Sequence, residues 1–150
     1  MAIKKVLFVC TGNTCRSPMA EALLRSRTQE DIEVKSAGVQ AFPNSPASEG
    51  TRTVLAEKGI GHDHQSQSVS QELLEWADVV LTMTYAHKNM IQLLFPEMSE
   101  HTFTLKEFID PNTEDKDIVD PFGGPIEAYQ QTAEQIEACL DELMRKLAES

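Results

Sequence analysis

The chain has 150 residues, the size of one ordinary domain with a full hydrophobic core, and 41% of them are hydrophobic. A formal net charge of −11 argues against a nucleic-acid partner, because a phosphate backbone needs a basic face, and no apolar run is long enough to span a bilayer. Three cysteines, two of them close together in one loop, do not make the framework of a secreted disulfide protein.

The N-terminus MAIKKVLFVC has basic residues and a short apolar stretch without a small-residue cleavage site. It reads as a first buried strand, Ile3 to Val9, of a cytoplasmic protein. After it comes CTGNTCRSP, in which Ser17 is placed to cap a helix and Pro18 to occupy its first turn, with helical spacing through MAEALLRS. Glu33 to Ala37 is a second strand closed by Gly38, and AFPNSP is a loop. Ala47 to Lys58 is a helix that stops at Gly59. Ser70 starts another, SQELLEWA, and Ala77 to Met83 is the clearest later strand. Tyr85 to Phe95 is helical up to Pro96, and Thr102 to Leu105 is a short fourth strand. Asp110 to Pro125, rich in Asp, Pro and Gly, is a long loop of the kind that often carries function. From Pro125 to about Glu149 runs an amphipathic helix with Ile126, Tyr129, Ala133, Ile136, Leu140, Leu143 and Leu147 along one stripe.

Strands alternating with helices imply a single α/β domain over residues 1–150, Rossmann-like, with a central four-stranded parallel sheet and helices on both faces. Ligands of such folds sit at the carboxyl ends of the strands. Cys10 stands at that end of the first strand, and Arg16 follows it after five residues. A loop between a strand end and a helix N-terminus collects inward-pointing N–H groups that favour an anion. Gly12 permits tight turning, Asn13 tolerates left-handed backbone, and Arg16 offers a planar fork for two phosphate oxygens. A cysteine in the same field loses its proton readily. The Gly-Lys-Ser/Thr of a nucleotide-binding loop is absent.

The run C-T-G-N-T-C-R-S matches the C-x5-R-[ST] signature of cysteine-dependent phosphatases, and its N-terminal position resembles the low-molecular-weight protein tyrosine phosphatase family. Asp120-Pro121-Phe122 looks like that family's general-acid loop, and KSAG at Lys35 to Gly38 and the strand ADVVLTM extend the likeness over essentially the whole chain. The resemblance implies that Cys10 attacks phosphorus to form a cysteinyl-phosphate, and that Asp120 protonates the leaving atom and then activates water. It implies that Arg16 and the loop amides of Thr11, Gly12, Asn13, Thr14 and Cys15 hold the transferring oxygens. By the same likeness Ser17 bonds the thiolate, Phe122 joins the substrate contacts, and Asn13, Ser36 and His64 support the loop. No metal or organic cofactor is implied, and the partners are phosphorylated proteins.

Competing readings are visible. Cys10 could be a small buried hydrophobe, although Arg16 and Ser17 behind it argue otherwise. Asp110-Pro111 rivals Asp120-Pro121 as the acid pair. His62, His64, His87 and His101 suit surface or structural places better than catalysis, and His62 with His64 lacks a third metal ligand. Tyr85 has no assignable role; Cys139 suits packing and Trp76 the core. An arsenate reductase on the same fold would need downstream cysteines, and only Cys139 is available. A catalytically dead phosphoprotein-binding module conflicts with the intact Cys10, Arg16 and Asp120. Cys10 and Cys15 are close enough in sequence to be expected to form a reversible disulfide on oxidation. Finally, Thr11 stands where tyrosine-specific members carry a larger aliphatic residue, and no tyrosine follows Asp120-Pro121. Both features resemble the bacterial protein arginine phosphatases of the family and place phosphoarginine ahead of phosphotyrosine as substrate.

Overall fold

The computed structural model describes residues 3–28, 31–61 and 63–149. Lys5–Cys10 (β1), Glu33–Gly38 (β2), Val79–Thr82 (β3) and Thr102–Thr104 (β4) form one sheet in the order β2-β1-β3-β4, with every neighbouring pair parallel. Parallel neighbours require crossovers, and helices supply them. The helices are Arg16–Arg27 (α1), Glu49–Glu57 (α2), Gln71–Trp76 (α3), Tyr85–Leu94 (α4), Leu105–Ile109 (α5) and Ile126–Glu149 (α6).

The pleat sorts β1 between two cores. Val6 and Phe8 pack with Met19 and Leu23 of α1 and with Ile136, Leu140 and Leu143 of α6. Leu7 and Val9 pack on the opposite face with Leu74 of α3 and Ile91 of α4. Both faces of the strand are therefore dry, which explains an unbroken apolar run where a half-exposed strand would alternate. The stripe expected along α6 is buried from Tyr129 to Leu147, joined by Thr132 and Cys139, while Ile126 at its start is only half-buried against the core. Among the described residues, no helix is long and apolar enough to cross a membrane.

Several local expectations shift. β1 runs on to Cys10, because Cys10 pairs with Gly38 of β2. Ser17 does not cap α1: Cys15 holds the N-cap position without a side-chain bond, and Ser17 lies inside the first turn. The Ser17 hydroxyl is engaged elsewhere, as described below. Helices α2, α3 and α4 do carry hydroxyl caps, from Ser48, Ser70 and Thr84. The fourth strand ends at Thr104, which forms a capping box with Glu107 and starts the short helix α5. Pro96–His101 is a 3-10 turn leading into β4. Trp76, expected in the core, is half-buried at its edge, with the Lys35 ammonium 4.3 Å from the ring centroid.

Candidate active site

The turn from β1 to α1 is built by its carbonyls. Those of Cys10, Thr11, Asn13, Thr14 and Cys15 all accept bonds from the surrounding protein: from Val39 N–H at 3.0 Å, Gln40 N–H at 2.9 Å, His64 Nε2 at 2.6 Å, Ser48 N–H at 2.8 Å and Thr51 Oγ1 at 3.2 Å. The N–H groups of Thr11 to Arg16 donate to no protein carbonyl among the described residues. The acceptors thus face outward and the donors are left for an anion at the start of α1. Asn13 holds the left-handed conformation this curl needs, with φ 58°. Gly38 allows β2 to approach it: a Cβ there would meet the Thr11 carbonyl oxygen at 2.5 Å and the Asn13 nitrogen at 2.9 Å.

A buried relay supports the turn. The Asn13 side-chain carbonyl accepts from Gln67 N–H at 3.0 Å, so its amide nitrogen donates to Ser17 and Ser36, both at 2.9 Å. Ser17 Oγ, already accepting from Asn13, is free to donate its own proton to Cys10 Sγ at 2.8 Å. Ser36 donates to the Glu21 carboxylate at 2.5 Å. Glu21 also pairs with Arg25 at 2.8 Å and lies 3.9 Å from His64 Nδ1. Since a carbonyl can only accept, His64 Nε2 donates to Asn13. The donors therefore run outward from the Asn13 amide, through Ser36 to the Glu21 carboxylate on one side and through Ser17 to the sulfur on the other.

Arg16 is almost wholly buried, donating from Nη1 to the Ile118 carbonyl at 3.0 Å. Its Nη2 lies 3.5 Å from Asp120 Oδ2, and its buried Nε has no partner among the described residues. Asp120 is exposed and belongs to the long loop, which Ile118 N–H fastens to the Met83 carbonyl beyond β3 at 2.8 Å. Asp120 Oδ1 accepts from Phe122 N–H at 3.0 Å, fixing the local turn. Cys10, Thr11, Gly12, Thr14, Cys15, Arg16, Asp120 and Phe122 line a cavity of about 250 Å³. Asp110 is the C-cap of α5 and caps Asn112 N–H, away from that cavity.

On one side of the cavity Thr11 Oγ1 lies 2.8 Å from His87 Nε2. Burial and then the Arg16 charge push the His87 ring down to about 4, against the opposing pull of Asp117 and Asp120. His87 is therefore neutral near pH 7. Beneath Cys15, its thiol donates to Ser48 Oγ at 3.4 Å and lies 3.8 Å from the Tyr129 hydroxyl, which burial pushes up.

A strand-end cysteine, a donor-lined turn and an arginine beside a carboxylate is an arrangement that also recurs in known proteins. The family described as low molecular weight phosphotyrosine protein phosphatase matches residues 5–150. The chain belongs to this family. Among curated members it is 51% identical over 143 residues to a protein-arginine-phosphatase of Geobacillus stearothermophilus, spanning 95% of each chain. It is 44% identical over 145 residues to a protein-arginine-phosphatase of Bacillus subtilis strain 168, again over 95% of each. The solved structure of YwlE arginine phosphatase from Geobacillus stearothermophilus superposes with a TM-score of 0.93 at 50% identity, covering 97% of this chain and 93% of that one. The doubly covered parallel sheet is thus the low molecular weight phosphatase fold.

Within this phosphatase framework the expected residues divide by depth. Cys10, Thr11, Gly12, Thr14, Cys15, Arg16, Asp120 and Phe122 reach the cavity wall. The side chains of Asn13 and Ser17 are fully buried beneath it, with Ser36 and His64 in the same polar layer. His62 lies outside the described residues, and no group of three or more His, Cys, Asp or Glu side chains is gathered as a metal would need among the described ones. His101 donates to or accepts from nothing in the cavity; its Nε2 meets the Leu74 carbonyl at 3.0 Å. Tyr85 is partly exposed beside the long loop, its N–H bonded to Asp117 at 2.8 Å. Cys139 is buried on α6, where burial pushes its thiol up. Sequence reading passed over Glu21, whose signal was a lone carboxylate inside the apolar run PMAEALL, and over Ser48, which joins the site only through the fold; His87, expected at a surface or structural place, also reaches the cavity wall only through the fold.

Proposed function

We propose that this phosphatase-family chain is a protein-arginine phosphatase acting through a cysteinyl-phosphate on Cys10. The observation that carries the reading is the single cavity shared by Cys10, Arg16, Asp120 and Thr11. The Cys10 thiolate attacks phosphorus while the turn N–H groups and the Arg16 fork hold the three other oxygens. The phosphorus–nitrogen bond breaks and the guanidine nitrogen takes a proton from Asp120. Asp120, now a carboxylate, removes a proton from water; the resulting hydroxide displaces the sulfur and phosphate leaves. Ser17, held by the Asn13 amide, meets the returning negative charge on sulfur with a hydroxyl proton.

Substrate choice falls to the wall. Arginine is a far more basic leaving group than tyrosine, with a pKa of about 12.5–13.8 against about 10. Its departure depends heavily on a protonated carboxyl at the scissile nitrogen, which Asp120 supplies. Thr11 gives that planar, polar group a small hydroxyl wall. Its two curated relatives above are protein-arginine phosphatases, which supports the same reading. Phosphotyrosine is the second reading, favoured by Phe122, which is 75% exposed at the mouth and able to stack on an aryl ring. Matched phosphoarginine and phosphotyrosine peptides decide between them by kcat/KM. Thr11→Ile is expected to move the ratio toward phosphotyrosine by roughly 10–200-fold. A wild-type preference for phosphotyrosine overturns the assignment. The partners are then arginine-phosphorylated proteins, and three free thiols suit the reducing cytoplasm.

Cys15 lines the same cavity as Cys10, and we assign the pair a protective disulfide. Peroxide converts the Cys10 thiolate to a sulfenic acid; the Cys15 thiol then attacks that sulfur, forming the S–S bond and expelling water. Peroxide-treated enzyme is expected to regain activity with dithiothreitol, and Cys15→Ser to regain markedly less as Cys10 proceeds to irreversible acids. Equal recovery by both proteins reduces Cys15 to a wall residue.

A further inference from the structure

We propose that His87 is a positioning residue for substrate choice: its buried imidazole pins the Thr11 hydroxyl, so that Thr11 and His87 act on the substrate as one unit. This rests on the reading of Thr11 as the selector. Thr11 is exposed on the cavity wall, whereas His87, in the first turn of α4, is only 5% exposed. The two residues are 76 positions apart and meet at 2.8 Å. The His87 main-chain N–H is fixed in turn by the Thr84 hydroxyl at 3.1 Å, so the ring is delivered by a capped helix end.

An exposed threonine in a loop ordinarily samples more than one staggered rotamer. A bond from a buried ring removes that freedom. Because threonine is β-branched, fixing Oγ1 also fixes where its methyl group stands. The neutral state of His87 matters, since an imidazolium beside Thr11 would repel a guanidinium substrate.

The unpaired atom indicates the tautomer. His87 Nδ1 is buried with no hydrogen-bond partner among the described residues. A bare buried acceptor is tolerated better than a bare buried N–H. The proton therefore sits on Nε2 and is donated to Thr11 Oγ1. That leaves Thr11 its own O–H and one lone pair, a donor and an acceptor held at a fixed point on the wall. An aliphatic side chain at position 11 would strand both ring nitrogens, so its cost would exceed that of one lost substrate contact.

The test is a double-mutant cycle on the full-length enzyme with His87→Leu, Thr11→Val and the double variant. The substrates are a phosphoarginine peptide and p-nitrophenyl phosphate, which engages the phosphate cradle without a guanidino group. His87→Leu is expected to lose at least about tenfold more kcat/KM on phosphoarginine than on the aryl phosphate. The double variant is expected to be no worse than the poorer single variant, since both break the same unit. His87→Gln, whose amide reaches about as far as Nε2, should restore most of the discrimination, and it supplies the same cycle if His87→Leu does not fold. Equal losses on both substrates, or additive effects in the cycle, overturn the proposal and leave His87 a packing residue. A wild-type preference for phosphotyrosine peptide over phosphoarginine peptide overturns the arginine assignment alone, and the coupling between the two residues is read separately from the cycle.

Discussion

Cys10→Ser is expected to lose roughly 10⁴–10⁶-fold in turnover, the scale seen when a covalent nucleophile is removed. The relay ending at Ser17 supplies one hydroxyl proton to the attacking atom, which suits a thiolate but cannot by itself ionise an alcohol. The turn should survive, because it is held by its carbonyls and by Asn13, none of which touches the sulfur. Vanadate or phosphate should therefore still raise the melting temperature of Cys10→Ser, while hydrolysis of every substrate disappears. Substantial hydrolysis by this variant would exclude the cysteinyl-phosphate. Arg16→Lys makes a useful companion. A lysine ammonium cannot hold two phosphate oxygens as a fork, nor keep the bond to the Ile118 carbonyl in the same geometry. Both phosphate binding and turnover should fall there, in contrast to the cysteine variant.

Asp120→Asn is expected to cost about 10²–10⁴-fold on phosphoarginine and far less on p-nitrophenyl phosphate, whose leaving group departs without a proton. Asparagine keeps the side-chain oxygen that accepts from Phe122 N–H, so the loop should hold its shape and the loss report proton transfer. Asp110→Asn serves as the control. Asp110 lies at the end of α5 and lines no part of the cavity, so its variant should keep ordinary leaving-group dependence. If the dependence on leaving group appeared in the Asp110 variant instead, the acid would have been misplaced.

What could be read from sequence alone was whatever is local. The loop from Cys10 to Arg16 is contiguous, and the strand before it and helix after it are dictated by neighbouring residues. The sheet follows from alternation of elements, and the role of Asp120 was implied by resemblance to the family's acid loop just ahead of α6. Asp110 and Asp120 look alike as Asp-Pro pairs; only the fastening of Ile118 to Met83 and Arg16 brings one of them to the cysteine. The partners of Thr11 and Cys15 are long-range: His87 arrives through α4, and Tyr129 through α6, more than a hundred residues after the cysteine it meets. Tyr129 was read correctly as part of the buried stripe, but periodicity says nothing of where a phenol hydroxyl ends. Ser17 misled for a related reason. A serine ahead of a helix suits a cap, and nothing local reveals that a thiol and an amide compete for it.

The outward-turned carbonyls leave the cradle open to the reaction's own product. The cradle is assembled by the protein's own bonds and needs nothing from the substrate beyond its phosphoryl oxygens. Free phosphate carries the same oxygens and is therefore expected to occupy the cradle as well. On the proposed reading, preference for substrate over product falls to Thr11, Asp120 and Phe122 on the cavity wall. Inorganic phosphate is expected to act as a competitive product inhibitor, raising KM for a phosphorylated peptide while leaving kcat unchanged.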